Sequence, residues 1–143
     1  MNKIDKFDKE YFFLSNFYPC KVPYQGRTYK SSEAAFQAQK TRDSEIRKEF
    51  EEMSARVAKS KGRTLELRRD WEDVKDRIMY EICYSKFVNN PQIARKLIST
   101  GDAVLIEGNT WFDTYWGVCN KVGLNKLGQI LMKVRDEIKE IYK

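Results

Sequence analysis

The sequence predicts a mainly α-helical domain of the α+β class, with one small β element near its N-terminus. Three observations predict it. Apolar residues recur at helical spacing over residues 71–87 and again over 124–142. An aromatic-rich stretch from Tyr11 to Tyr29 reads as β-like, with a turn signal inside it. No repeat, low-complexity tract or Pro/Gly/Ser linker interrupts the 143 residues, a length suited to one domain over 1–143.

The elements follow in order. Phe12, Phe13, Phe17 and Tyr18 supply the aromatic β-like character, and Gln25-Gly26 forms a turn between residues 20–24 and 27–29. Ser31 or Ser32 caps a first helix running to about Thr41, with Glu33 in the first turn, where the helix dipole favours an acid. Ser44 starts a second helix that puts Ile46, Phe50 and Met53 on one face. Residues 56–69 form a basic run broken at Gly62, with Glu66 as its one acid. Asp70 caps the longest helix, which runs to about Phe87 with Trp71, Val74, Ile78 and Ile82 on its apolar side. Asn90-Pro91 opens the next helix, lined by Ile93, Ala94, Leu97 and Ile98, and Gly101 suits its C′ position. Residues 103–107 make a short buried strand. The last helix runs from about Leu124 to Tyr142, with Leu127, Leu131, Val134, Ile138 and Ile141 facing inward.

Composition narrows the chemistry. There is no histidine, which excludes Ser-His-Asp and Cys-His catalysis and histidine-based metal sites. The three cysteines, Cys20, Cys83 and Cys119, lack the spacing and number of a zinc site or a disulfide framework. They read as reduced thiols of a cytoplasmic protein. The first ten residues are charged and carry no secretory h-region. No apolar run approaches the roughly 18 residues of a membrane span, so no membrane partner is expected. A net charge of +6 favours anionic partners such as nucleotides, phosphates or nucleic acid, or serves solubility alone. An enzyme built from this chain must use carboxylates, lysine, tyrosine or backbone donors, and no cofactor is called for.

Chemistry-bearing residues fall into blocks. Glu33, Gln37 and Lys40 share one helix face at i, i+4 and i+7. They line a pocket, or they form a solvated stripe opposite a buried side marked by Ala34, Ala35 and Phe36. Asp113 lies between Trp111 and Trp116. A carboxylate beside aromatic walls is partly desolvated and suited to acid–base work; the plainer reading is a turn-capping Asp with the tryptophans in the core. Trp71 either packs in the core or stacks a base. Ser15-Asn16-Phe17 and the Gly123–Gly128 turn offer backbone donors to phosphates or sugar hydroxyls, although neither is a phosphate-binding fingerprint. The basic run 56–69 meets phosphate or forms a solvated face. Cys119 lacks a partner base, which favours a structural thiol over a nucleophile.

The blocks FLSNFYP, SSEAAFQAQK, the Trp71 helix ending in KF-x-N-N-P, L-x-STGDAVLIEGN, D-x-YWG and GLNKLGQILMKVR together resemble the NADAR family of YbiA-like proteins, from about Phe12 to Arg135 and in family order. The resemblance implies a compact, mostly helical YbiA-like domain with N-glycosidase activity on ribosylated bases. One branch of the family cleaves ribosylamino-pyrimidine phosphates, early intermediates of the riboflavin pathway. Another removes ADP-ribose from guanine, in nucleotides or in single-stranded DNA. By position in the family motifs, Glu33, Lys40 and Asp113 are the catalytic candidates. Ser15, Asn16, Phe17, Trp71, Trp111, Trp116 and Asn125 are the substrate-binding candidates. One departure stands out: Val118-Cys119-Asn120 follows the Trp-Gly pair, where many relatives place a glycine. It weakens direct transfer of the riboflavin-branch substrate.

The implied reaction suits these residues. Breaking a ribosyl C1–N bond builds positive charge on the sugar, which a carboxylate stabilises. A proton donor to the leaving nitrogen lowers the barrier further. A lysine whose pKa burial has lowered attacks C1 of an opened ribose as a Schiff-base nucleophile, whereas an ion pair with Glu33 would keep it protonated as an acid. The rival classes are a non-catalytic module that binds ADP-ribose or a nucleotide and a nucleic-acid-binding helper.

Overall fold

The computed structural model describes residues 2–142. Its order is β1 (Lys3–Ile4), a 3₁₀ turn (Lys9–Leu14), β2 (Val22–Tyr24), β3 (Arg27–Tyr29), α1 (Ser32–Ala38), α2 (Ser44–Glu49), a second 3₁₀ turn (Phe50–Glu52), α3 (Ala55–Gly62), α4 (Trp71–Val88), α5 (Pro91–Ser99), β4 (Val104–Leu105) and α6 (Lys126–Ile141). Helix dominates, as expected, and the strands are short. The chain divides into two compact units, Asn16–Asn90 and a second made of Met1–Ser15 with Pro91–Lys143.

In the first unit, β2 and β3 form an antiparallel hairpin with Val22 opposite Tyr29 and Tyr24 opposite Arg27. Its turn is Gln25-Gly26, both at positive φ (52° and 79°), the conformation whose twist matches the flanking strands. Helix α1 starts as expected: Ser31 Oγ accepts the Ala34 amide at 3.0 Å. It ends at Ala38 rather than Thr41, because the Gln39 and Lys40 amides bond back three residues, to Phe36 and Gln37. Every residue from Ser32 to Ala38 is buried. Helix α2 starts at Ser44, as expected, with Asp43 as its cap, and gives way to the 3₁₀ turn at Phe50. The basic run folds into α3 up to Gly62 and then into turns. Ala55, Ala58 and Gly62 are its buried face. Asp70 precedes α4, but its carboxylate pairs with Arg68 (2.7 Å) instead of capping the helix. Ile78, Met79, Ile82, Cys83 and Phe87 form the α4 side of the core. Tyr24 donates to Glu81 at 2.6 Å and ties the hairpin to α4.

In the second unit, β1 runs parallel to β4, with Lys3 opposite Val104 and Ile4 opposite Leu105. The charged N-terminus therefore contributes a strand that its composition did not announce, anchored by buried Ile4 and Phe7. The β-like reading of residues 11–18 is corrected: Lys9–Leu14 is a 3₁₀ turn. Phe13 and Leu14 are both buried, and two consecutive inward side chains do not fit the alternation of a half-buried strand. Helix α6 packs on α5 and β4 through Leu127, Leu131, Val134 and Ile138, while Ile141 is exposed rather than inward. Gly101 has φ of 66°, as its C′ position requires. Arg135 closes the packing, donating to Ala103 O (2.9 Å) and Thr100 Oγ1 (3.0 Å).

Candidate active site

Residue type and spacing build the first unit's site on α1. The solvated-stripe reading of its polar face fails, because Glu33 is 8% and Gln37 7% exposed. The i, i+4 spacing lets Gln37 Nε2 donate to Glu33 Oε2 at 2.7 Å. A carboxylate kept this far from water needs such donors. Gln37 Oε1 is buried with no hydrogen-bond partner. It points at Gly62, where a Cβ would come within 1.9 Å of it. Gly62 is thus the close-approach point of α3 on α1.

The Ser-Asn-Phe turn sits on the start of α1. Asn16 O accepts the Glu33 amide at 2.9 Å, and Asn16 Oδ1 accepts from Ser32 Oγ at 2.9 Å. Asn16 Nδ2 faces the Met79 sulfur at 3.6 Å. Asn16 therefore fixes the acid's backbone. Phe17 is half-buried under the Lys59 ammonium, 5.6 Å from its ring centroid.

Lys40 is half-buried just beyond α1. Burial pulls its pKa below the ordinary lysine value; the Glu33 carboxylate opposes this, and the Arg63 guanidinium adds to it. Burial is the larger influence on this amine, and the Glu33 carboxylate the smaller. Trp71 is buried, its ring tilted 52° against Phe36 at 5.0 Å. It packs in the core behind α1.

The second unit holds the aromatic loop. Trp111 is 56% and Phe112 79% exposed, and Phe112 has φ of 65°. Trp116 is half-buried and meets Tyr115 edge-on at 4.8 Å. Asp113 Oδ1 accepts the amides of Tyr115 (3.0 Å) and Trp116 (2.9 Å), so this carboxylate caps the turn. Asn109 holds the other side, its Oδ1 accepting the Asp113 amide at 3.1 Å and its Nδ2 donating to Asp113 O at 2.9 Å. Gly117 is required by crowding, since a Cβ there would meet Glu107 Oε1 at 1.9 Å. Asn125, in the left-handed region at φ 54°, spends both ends of its amide on the strand: Oδ1 accepts from Glu107 N and Nδ2 donates to Leu105 O, each at 2.9 Å. Ser15 follows the 3₁₀ turn, its amide bonded to Phe12 O. Cys119 is buried, its amide bonded to Val122 O, as a structural thiol would be.

The sequence therefore brought Asn16, Phe17, Glu33, Lys40 and Trp71 into one unit, and Ser15, Trp111, Asp113, Trp116 and Asn125 into the other. It undervalued Gln37, Arg63 and Asn109. Arg63 carried one signal, its place directly after the glycine that breaks the basic run. Among the described residues, no helix is long and apolar enough to cross a membrane.

Comparison with known proteins identifies the family. The NADAR domain family matches residues 4–139. An N-glycosidase of Nostoc punctiforme is 38% identical over 138 residues, covering 92% of this chain and 88% of that protein. A riboflavin biosynthesis protein of Vibrio vulnificus is 36% identical over 137 residues; these cover 93% of this chain but 37% of that longer protein. The NMR structure of the Escherichia coli protein YbiA superposes with a TM-score of 0.88 at 32% identity, over 99% of this chain and 87% of that one. The chain belongs to the NADAR domain family, among relatives curated as N-glycosidases.

Proposed function

We propose that this N-glycosidase hydrolyses the C1–N bond joining ADP-ribose to guanine, in a nucleotide or in single-stranded DNA. The observation that carries the reading is the pairing on α1 of a buried carboxylate, Glu33, with a half-buried lysine, Lys40, whose amine burial makes more available. Lys40 attacks C1 of the opened ribose. The C1–N bond to the base breaks as the Lys40–C1 imine forms, and the base nitrogen leaves with a proton. Water then adds to C1 and returns the free amine, so the net change is one water for one C1–N bond. Glu33 stabilises the positive charge that develops at C1 and relays protons. Gln37 and Asn16 hold Glu33 in place. Asp113 orders the aromatic loop through its two amide bonds, and Asn125 orders the strand behind it.

The guanine-linked substrate is favoured by exposed Trp111 and Phe112, flat surfaces suited to stacking the bases of a single strand. The second reading, cleavage of a ribosylamino-pyrimidine phosphate, is favoured by the similarity to the Vibrio riboflavin biosynthesis protein. Mass spectrometry of products from the two substrates, with wild type and Lys40→Ala side by side, tests both. Free ADP-ribose from guanine-linked single-stranded DNA, lost in the variant, supports the first. Ribose phosphate from the pyrimidine substrate alone replaces it with the second. Tight ADP-ribose binding with no product from either means a binding module.

A further inference from the structure

Helix α3 carries no acid between Ala55 and Gly62; Arg56, Lys59 and Lys61 are its cations, and Arg63 is its C-cap. Ala58 and Gly62 are buried. Lys59 and the C-cap Arg63 are four residues apart, so the two cations project from the same side of the helix, one turn apart. The close approach of Gly62 to the Gln37 side chain fixes that edge against α1. Lys59 lies over Phe17 of the turn that holds Glu33. Arg63 adjoins Gly62, and the Lys40 amide bonds the carbonyl of the same Gln37. Lys59 thus touches the turn at Phe17, and Arg63 lies near enough to Lys40 for its charge to act on it.

We propose that Lys59 and Arg63 form an anion-binding edge that takes the phosphate or diphosphate ester of the ribosyl substrate and sets its C1 beside Lys40. The placement of C1 rests on the functional reading above; the anion site does not. Two cations one turn apart match the spacing of a diphosphate, and the guanidinium adds a fork suited to phosphate oxygens. The charge of Arg63 also favours the neutral Lys40 amine. One edge therefore binds the substrate and prepares the nucleophile. Lys61 is exposed on the opposite side of α3, and Lys48 is exposed on α2, so these two cations serve as internal controls.

Calorimetric titration of inorganic pyrophosphate into the intact protein tests the edge without requiring turnover. The double variant Lys59→Gln/Arg63→Gln should bind pyrophosphate at least about tenfold more weakly than wild type. The control Lys48→Gln/Lys61→Gln, with the same loss of charge, should stay within about twofold. An unmodified single-stranded oligonucleotide should lose no more affinity in the first variant than in the second. Equal losses of pyrophosphate binding in both variants would reduce the edge to bulk charge and overturn it. So would a wild type that does not bind pyrophosphate, or a loss confined to the oligonucleotide. If the edge binds pyrophosphate and neither ribosyl substrate is turned over, the functional reading fails and the anion site stands.

Discussion

The face of α1 and the loop at residues 109–117 make an instructive pair. Both join carboxylate, amide and aromatic groups within a few residues. On α1 the acid and amide are buried inside regular structure, bonded to each other and backed by Trp71 on Phe36. In the loop the carboxylate is spent on backbone amides, and the rings of Trp111 and Phe112 are exposed. Desolvation changes the reactivity of a group, whereas exposure leaves it to recognition. Under the proposed function, the buried groups of α1 suit bond breaking, and the exposed rings of the loop suit stacking on a base.

The largest effect that would break this division is at Lys40. Lys40→Ala should lower single-turnover rates by at least about 10³-fold. Glu33→Gln should lower them by roughly 10²–10³-fold, since it keeps the shape and removes the charge. Near wild-type rates in either variant would move the chemistry off α1. Gly62→Ala sharpens the geometry. Its Cβ collides with Gln37 Oε1 and should cost about 1–3 kcal/mol in urea unfolding. Unchanged stability would mean that α3 does not press on Gln37.

The pH profile distinguishes tuning from packing. A neutral Lys40 amine makes the rate rise with pH through the lysine's lowered pKa. Arg63→Gln removes a lowering cause, so this limb should move to higher pH; Glu33→Gln removes a raising cause, so whatever rate remains should show the limb at lower pH. Shifts in the same direction would contradict the assignment. In the loop, Trp111→Ala should weaken binding to single-stranded substrate by about 1–3 kcal/mol and leave stability unaltered. Asp113→Ala should cost about 1 kcal/mol of stability through its turn bonds, read by thermal melting.

Lys86 tests the first unit's core independently of function. It is fully buried under the rings of Tyr18 and Phe87, near Cys20 and Cys83, and burial lowers its pKa. Below its lowered folded value, both folded and unfolded chains hold the proton. Between that value and the ordinary 10.5, the unfolded chain holds more protons, so stability rises with pH across this window. The Lys86 contribution is lost as pH falls through the folded value. Lys86→Met should remove that slope in denaturant titrations at several pH values.

Most of the helices were legible in the sequence because their apolar spacing, caps and glycines agree. Asn90-Pro91, Gly101 and Leu127–Ile138 are cases where local and tertiary signals coincide. Short strands were not legible, since β1 has only two residues and owes its place to β4, a hundred residues away. The α1 site was half legible. The i, i+4, i+7 spacing put Glu33, Gln37 and Lys40 together, but spacing alone does not say whether such a face meets water or protein. Burial decides that, and it depends on Gly62 admitting α3. Asp113 looked reactive because its neighbours are tryptophans; its hydrogen bonds go to the backbone, which side-chain identity does not reveal.

The most direct test of the central claim is borohydride reduction during turnover of guanine-linked ADP-ribose, followed by peptide mass mapping. The account predicts a ribosyl adduct on the peptide containing Lys40, absent in Lys40→Ala, which no longer releases ADP-ribose. Full release of ADP-ribose by Lys40→Ala, with no adduct in wild type, would contradict it.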